Sequence, residues 1–242
     1  MSVWVRTIFF WFTVFFSLLL LSPVVFFLQT QKKFLHWLAR QWSKLLLLIS
    51  GVKLEIQGKE KIDPSRYYII MSNHQSYFDI FLLLFLPVFV HWLAKKELFR
   101  IPIFGMILKW MGSIEVDRED RVKGYWSIKQ AVEKIKGGAT VLIFPEGTRS
   151  ATGELLPFHK GGFSLAILSG APILPITIKG TNRVMPKGFF RVFPGATQVI
   201  IHDPVETKNL SLKDRDWLQE KIREILQKNL NNHSSHHTAS LT

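Results

Sequence analysis

The stretch Val3–Leu28 leaves the chain few choices, because it is almost continuously apolar, broken only by Arg6, Thr7, Thr13, Ser17, Ser22 and Pro23. As a helix its 26 residues rise about 39 Å, against a bilayer hydrocarbon core of about 30 Å. A tilted span is therefore long enough. Pro23 and the basic pair Lys32-Lys33 also allow a helical hairpin that dips into one leaflet. A cleaved signal peptide fits less well, since the apolar run is long and no small-residue cleavage site follows it. Phe34–Ile49 then places His36, Arg40, Ser43 and Lys44 on one helical face, and Leu38, Trp42, Leu45 and Ile49 on another. That pattern predicts an amphipathic interfacial helix with Trp37 and Trp42 at headgroup depth. A core helix packed on the domain is the alternative. Residues 1–50 are thus expected to form a two-helix membrane-embedded motif.

From Gly51 the pattern changes to alternating strand and helix signals. Strands are expected at Lys53–Gln57, Tyr67–Ser72, Val88–Ala94, Ser113–Val116, Thr140–Phe144, Ile173–Lys179, Arg191–Phe193 and Thr197–His202. Helices are expected near Tyr77–Leu86, Glu97–Met111, Val122–Lys136, Gly162–Leu168 and Leu212–Leu230. Ile128, Ala131, Val132 and Ile135 form a clear apolar stripe, and Gly137-Gly138 stops that helix. Such alternation predicts an α/β fold over residues 51–230, a single mixed or parallel sheet flanked by helices. Residues 231–242 read as a polar, disordered tail whose His233, His236 and His237 would bind metal only adventitiously.

Composition narrows the partners. The 242-residue chain is 48% hydrophobic yet carries a formal net charge of +13, so an anionic partner is expected: nucleic acid, a phospholipid surface or a phosphorylated substrate. RNP, zinc-finger and helix-turn-helix signatures are absent, and the aromatic residues cluster in the apolar segment instead of alternating with basic ones. Nucleic acid is therefore the poorest of the three. With no Cys, disulfides, thiol catalysis and thiolate metal sites are excluded.

Three stretches carry chemistry. In Ile69–Ile80 an apolar strand runs into Ser72, Asn73, His74, Gln75 and Ser76, and Asp79 follows in the first turn of an apolar helix. An imidazole with a pKa of about 6.5 accepts a proton near neutral pH, and a carboxylate on its other nitrogen fixes the tautomer. Five residues turn a regular helix by about 500°, so the two converge only if His74 sits in the loop and Asp79 on the helix. The same residues also read as a capping box, with Ser76 as N-cap and Asp79 at N3, which needs no catalysis. Next, Lys95 and Lys96 end a strand, where α/β folds usually place ligands, and Asp117 and Arg118 follow the next strand. Paired lysines there also read as solvated surface. Third, the strand of Val141–Arg149 delivers Pro145, Glu146, Gly147, Thr148 and Arg149 into a loop. Arg149 can hold a phosphate bidentately, Thr148 adds a hydroxyl, and Gly147 frees the backbone to turn. A plain turn with a surface Arg competes with that reading. His159 and Lys160 could flank the same mouth.

Taken in order, Asn73-His74-Gln-Ser-Tyr-Phe-Asp79, Lys95-Lys-Glu-Leu-Phe-Arg-Ile-Pro-Ile-Phe-Gly105, Phe144-Pro-Glu-Gly-Thr-Arg149 and Ile173-Leu-Pro-Ile-Thr-Ile178 resemble the glycerophospholipid acyltransferase family. The likeness is greatest to its bacterial lysophosphatidic acid acyltransferases, and it covers about Val52 to His202 plus the helix pair before it. It implies that His74 is the general base and Asp79 its orienting partner. Arg149 and a second-block lysine, Lys95 before Lys96, would bind the acceptor phosphate. Asn73, Glu146, Gly147 and Thr148 would shape the acceptor site, and Ile173 and Pro175 would line the acyl-donor side. The implied reaction moves an acyl group from acyl-CoA or acyl-carrier protein to 1-acylglycerol 3-phosphate, without cofactor or metal, at the cytoplasmic side of a bacterial inner membrane. The same chemistry on another lysophospholipid or glycerol 3-phosphate is the alternative. A hydrolase would need a nucleophile, and no G-x-S-x-G is present.

Overall fold

The computed structural model describes residues 2–117 and 121–231; Arg118 and the histidines of the polar tail lie outside them. Two long helices come first, α1 (Val3–Phe27) and α2 (Lys32–Ser50). Strand β1 (Val52–Gln57) follows, then β2 (Ile69–Ser72), helix α3 (Phe78–Leu83), β3 (Val90–Lys95), α4 (Phe104–Trp110) and β4 (Ile114–Val116). The second half supplies α5 (Arg121–Lys136), β5 (Thr140–Ile143), α6 (Gly161–Ser169), β6 (Ile173–Lys179), α7 (Thr181–Val184), β7 (Gly195–Ile201) and α8 (Arg215–Asn231).

The strands form one seven-stranded sheet in the order β1-β7-β6-β2-β5-β3-β4, parallel except for the antiparallel β6–β7 pair. This is the single mixed sheet expected. The strands β2, β5 and β6 lie side by side at its centre, with Ile69 opposite both Val141 and Ile173. Their C-terminal ends therefore deliver the loops after residues 72, 143 and 179 to one edge of the fold. Buried on both faces, they read as unbroken apolar runs, whereas β1 at the sheet edge alternates buried and exposed residues.

Alternate residues of those strands feed two cores. Ile70, Leu142, Leu174, Ile176 and Ile178 pack with α1, α2 and α3; Ile69, Met71, Val141, Ile143 and Ile173 pack with α5, α6 and α8. Helix α1 is laid lengthwise on the first core. Thr7, Phe10, Val14 and Val25 are buried, while Ile8, Phe12, Phe15 and Leu19 on the opposite face are exposed.

Several local expectations are corrected. Helix α2 turns His36 and Ser43 toward the protein, not to water: His36 Nε2 meets Leu86 O at 2.9 Å, and Ser43 Oγ donates to Phe81 O at 2.7 Å. Both carbonyls belong to the end of α3 and the turn after it, which lack helical partners, and the half-buried His36 and buried Ser43 satisfy them. Trp42 is correspondingly internal, donating to Ser17 Oγ at 2.7 Å, whereas Trp37 is exposed. The helix expected over Glu97–Met111 is split into a 3-10 turn, Lys96–Arg100, and α4. Pro102 interrupts it, Ile103 takes φ 64°, and Gly105 lies against the Phe99 backbone. Helix α3 is shorter than Tyr77–Leu86. Arg191–Phe193 is not a strand, because its backbone bonds elsewhere: Val192 N donates to Thr7 Oγ1 and Phe193 N to Val184 O.

A Cβ at Gly105 would stand 2.2 Å from Phe99 O and 2.5 Å from Phe99 C, both backbone atoms. Gly105→Ala is expected to cost about 1–3 kcal/mol, the usual range for overpacking, read as a lowered thermal midpoint in detergent. An unchanged midpoint would show that the turn opens freely.

Candidate active site

The loop after β2 is built around one carboxylate oxygen. Asp79, fully buried, accepts at Oδ2 from Gln75 N at 2.7 Å and Ser76 N at 2.9 Å. The same oxygen lies 2.7 Å from His74 Nδ1. Asp79 thus gathers the turn before its helix and the imidazole onto one oxygen. The expected cap at Ser76 is not formed: the helix begins at Phe78 with Tyr77 as its N-cap and no side-chain cap bond, Asp79 is its second residue, and Ser76 Oγ accepts from Phe78 N at 3.2 Å within the turn. Burial decides how to weigh the two roles. A surface cap is worth about 1 kcal/mol, while burying a carboxylate costs several kcal/mol, so only a set of charge-assisted bonds justifies placing it inside. The Nδ1–H bond leaves Nε2 as the basic nitrogen, with no hydrogen-bond partner among the described residues. Phe144 stacks on the imidazole at 3.9 Å between centroids, with an interplanar angle of 11°.

The loop after β5 holds the His74 backbone from both sides. Glu146 Oε1 accepts from His74 N at 2.7 Å, and Ser150 N donates to His74 O at 2.7 Å. Glu146 Oε2 accepts from Leu156 N at 2.9 Å, which closes the loop on itself. Gly147, at φ 70°, makes the turn between these contacts. Burial pushes the Glu146 carboxyl up to about 7, against the downward pull of its two N–H donors. Asn73 is also turned inward. Its amide bonds both ways to β6, Nδ2 to Ile178 O at 2.8 Å and Oδ1 from Ile178 N at 2.7 Å. Ile173 and Pro175 lie buried in β6, away from the lining of the cavity that holds His74.

That cavity encloses about 230 Å³ and is almost entirely apolar. His74, Phe144, Gly147 and Lys95 stand at one part of its wall; the rest includes Leu18 and Val25 of α1, Leu38 and Trp42 of α2, Trp92 of β3, and Phe104 and Ile107 of α4. An apolar wall of this extent suits a hydrocarbon chain. Lys95 is half-exposed, with Glu97 at 3.5 Å, whereas Lys96 is engaged by Asp117 at 2.9 Å. Arg149 lies with its guanidinium 3.8 Å over the Tyr77 ring, and its Nη1 is buried with no hydrogen-bond partner among the described residues. Thr148 beside it is exposed. Lys160 and Asp216 form an ion pair at 2.9 Å, and His159 is exposed. His91 and His202 are driven down to about 4 by burial. No group of three or more His, Asp or Glu side chains suited to a metal occurs among the described residues.

Several of these features were not visible in the sequence. The roles of Phe144 and Trp42 depend on contacts across the fold, and neither stands in a polar motif. Glu146 and Asn73 were visible as motif residues, but not the inward direction in which they point.

Comparison with known proteins places the chain in a family. The family model described as Acyltransferase matches residues 53–179. A Brassica napus chloroplastic protein named 1-acyl-sn-glycerol-3-phosphate acyltransferase BAT2 is 38% identical over 75% of this chain and 53% of its own. The chain therefore spans about half the length of that relative. The 1-acyl-sn-glycerol-3-phosphate acyltransferase of Pseudomonas aeruginosa is 34% identical over 83% of this chain and 78% of its own. Among solved structures, the 1-acyl-sn-glycerophosphate (LPA) acyltransferase PlsC of Thermotoga maritima superposes with a TM-score of 0.84 at 28% identity, covering 96% of this chain and 95% of that one. A matched domain over more than half the chain, and a bacterial relative aligned over most of both lengths, show that the chain belongs to the acyltransferase family.

Proposed function

We propose that the protein transfers a fatty acyl group from an acyl thioester, acyl-CoA or acyl-carrier protein, to the sn-2 hydroxyl of 1-acylglycerol 3-phosphate, giving phosphatidic acid. The observation that carries this reading is the His74–Asp79 pair, Nδ1 to Oδ2 at 2.7 Å, standing at the wall of an apolar cavity beside Lys95 and Gly147. The names of the relatives supply the acceptor.

His74 Nε2 takes the proton of the acceptor hydroxyl as its oxygen attacks the thioester carbonyl. Asp79 stabilises the imidazolium that forms. The tetrahedral intermediate expels the thiolate, which receives the proton back from Nε2, and ester and thiol leave. A thioester is already activated, so no acyl-enzyme is required. Arg149 and Lys95 hold the acceptor phosphate, which supplies orientation more than chemistry. The unpaired Nη1 of Arg149 supports that role, and the Lys96–Asp117 ion pair favours Lys95 over Lys96. Glu146 and Asn73 act behind the site, fixing the His74 loop to its neighbours, and Gly147 and Thr148 face the acceptor. The acyl chain occupies the apolar cavity between the helix pair and α4. In this reading β6, with Ile173 and Pro175, is the frame behind the loop and not a wall of that cavity.

Residues 1–50 serve as the membrane anchor and residues 51–230 as the acyltransferase domain. Because α1 packs lengthwise on the domain, its exposed apolar face suits burial in one leaflet, lying in its plane, better than a crossing of both. The basic Lys32 and Lys33 and the bacterial relative fit the cytoplasmic side of a bacterial inner membrane.

Purified in detergent, the wild type is expected to release thiol from acyl-CoA in the presence of 1-acylglycerol 3-phosphate and to yield phosphatidic acid. Loss of the general base in His74→Ala should lower kcat by about 10²–10⁴. Arg149→Ala and Lys95→Ala should mainly raise the acceptor KM, and Lys96→Ala should do so less. Activity retained in His74→Ala overturns the general-base role. Turnover only with an acceptor lacking phosphate overturns the phosphate site and keeps the mechanism.

Glu146 gives a pH test. Its folded value, about 7, lies above the ordinary 4.5, so between those values the folded chain holds a proton that the unfolded chain releases. This contribution to stability is complete below 4.5 and is lost as pH rises through about 7. The stability of the wild type relative to Glu146→Gln should therefore decline from pH 5 to 8. A pH-independent difference between their denaturation midpoints would refute the buried-carboxyl assignment.

A further inference from the structure

The segment Pro186–Arg191 is absorbed by neither the fold nor the catalytic reading. Phe189 N donates to Pro186 O at 3.1 Å, with Gly188 at φ 88°, so the chain turns tightly at Lys187-Gly188. Phe189 and Phe190 are left 57% and 64% exposed. A Cβ at Gly188 would meet nothing within 4 Å, so the tip projects into open space.

The base of this loop is fixed firmly to α1. Trp11 Nε1 donates to Phe190 O at 2.8 Å, and Val192 N donates to Thr7 Oγ1 at 3.0 Å, with the Val192 side chain buried. The Arg191 guanidinium lies 4.3 Å from the centroid of the Trp4 ring. Two adjacent exposed phenylalanines are thus held rigidly beside the exposed apolar face of α1, which carries Trp4, Ile8, Phe12 and Phe15. The two apolar surfaces are continuous.

Charge indicates what covers them. No Asp or Glu occurs in residues 1–54 or 155–202, so both α1 and this loop lie in acid-free stretches of the chain. The two phenylalanines are flanked by Lys187 and Arg191. Apolar rings bordered by cations match the boundary between acyl chains and anionic headgroups. A protein partner would have to supply an apolar surface rimmed by acids, whereas an anionic leaflet already present against α1 supplies both.

We propose that the Pro186–Arg191 loop is a third membrane-contact element, seating Phe189 and Phe190 in the acyl region of the same anionic leaflet that receives α1, with Lys187 and Arg191 at the phosphate level. The inference rests on the reading of the N-terminal helices as an anchor. It adds a contact from the catalytic domain itself, which fixes the roll of that domain about the α1 axis and so the presentation of the His74 cavity to the bilayer.

Because the chain has no cysteine, single labels can be placed cleanly. Phe15→Cys, Phe190→Cys and Lys221→Cys, each in the full chain, are labelled with an environment-sensitive fluorophore. They are reconstituted into phosphatidylglycerol–phosphatidylcholine vesicles containing nitroxide-labelled lipids. Position 15 reports the anchor, and position 221, exposed on α8 across the sheet, reports the far side. The expected result is a blue shift and comparable acyl-chain quenching at 15 and 190, with neither at 221. Quenching at 15 without quenching at 190 overturns the loop proposal and leaves the anchor intact. The absence of quenching at both positions overturns both. A response at 190 that follows protein concentration and not the lipid quencher places a second copy there, and also overturns the proposal.

Discussion

Three N–H groups converge on Asp79 Oδ2, and the geometry of the whole site descends from them. Two belong to the backbone of the loop and one to the imidazole, so the bonds that tighten the turn also fix the histidine ring. Hydrogen bonds to a charged group contribute about 1.5–3 kcal/mol each, which is the scale needed to hold a carboxylate away from water. Turn and imidazole therefore share one anchor: the carboxylate that gathers the loop amides also receives the histidine ring.

Around that centre the sheet acts as a delivery system. Three parallel central strands end at the same edge, and each contributes a different kind of part. From β2 comes His74, from β5 the loop that grips its backbone through Glu146 and Ser150, and from β6 the peptide unit that Asn73 holds. Motifs far apart in the chain become neighbours because β2 sits between the other two. The cavity is assembled differently. Its walls come from side chains of α1, α2, β3 and α4, whose contributions are spread over nearly a hundred residues.

This difference explains what could be read from the sequence. The strands were legible because a strand buried on both faces must be an unbroken apolar run, and the mixed sheet followed from alternation with helices. His74 and Asp79 were legible because polar residues at a strand end stand out against such runs. Which way a motif residue points was not. Asn73 and Glu146 occur in the motifs around His74 yet turn away from the cavity, because backbone groups of β6 hold the one and loop amides of His74 and Leu156 hold the other. The faces of α2 were misread for a related reason: hydropathy assigns His36 and Ser43 to water, but carbonyls at and beyond the end of α3 had no other donors. Arg191–Phe193 has the composition of a strand, but its amides are taken by Thr7 of α1 and Val184 of α7, contacts that sequence does not announce.

The cavity wall has one more implication. Leu18, Val25, Leu38 and Trp42 belong to the helices that precede the domain, and they face the same space as His74. Removing those helices to obtain a water-soluble enzyme would open the cavity along its length, not merely detach it from a surface. For the same reason, an inherited change on the inner face of those helices would also retune the chamber they enclose. Helix pair and chamber are under shared constraint, and neither can be exchanged between relatives as an independent module.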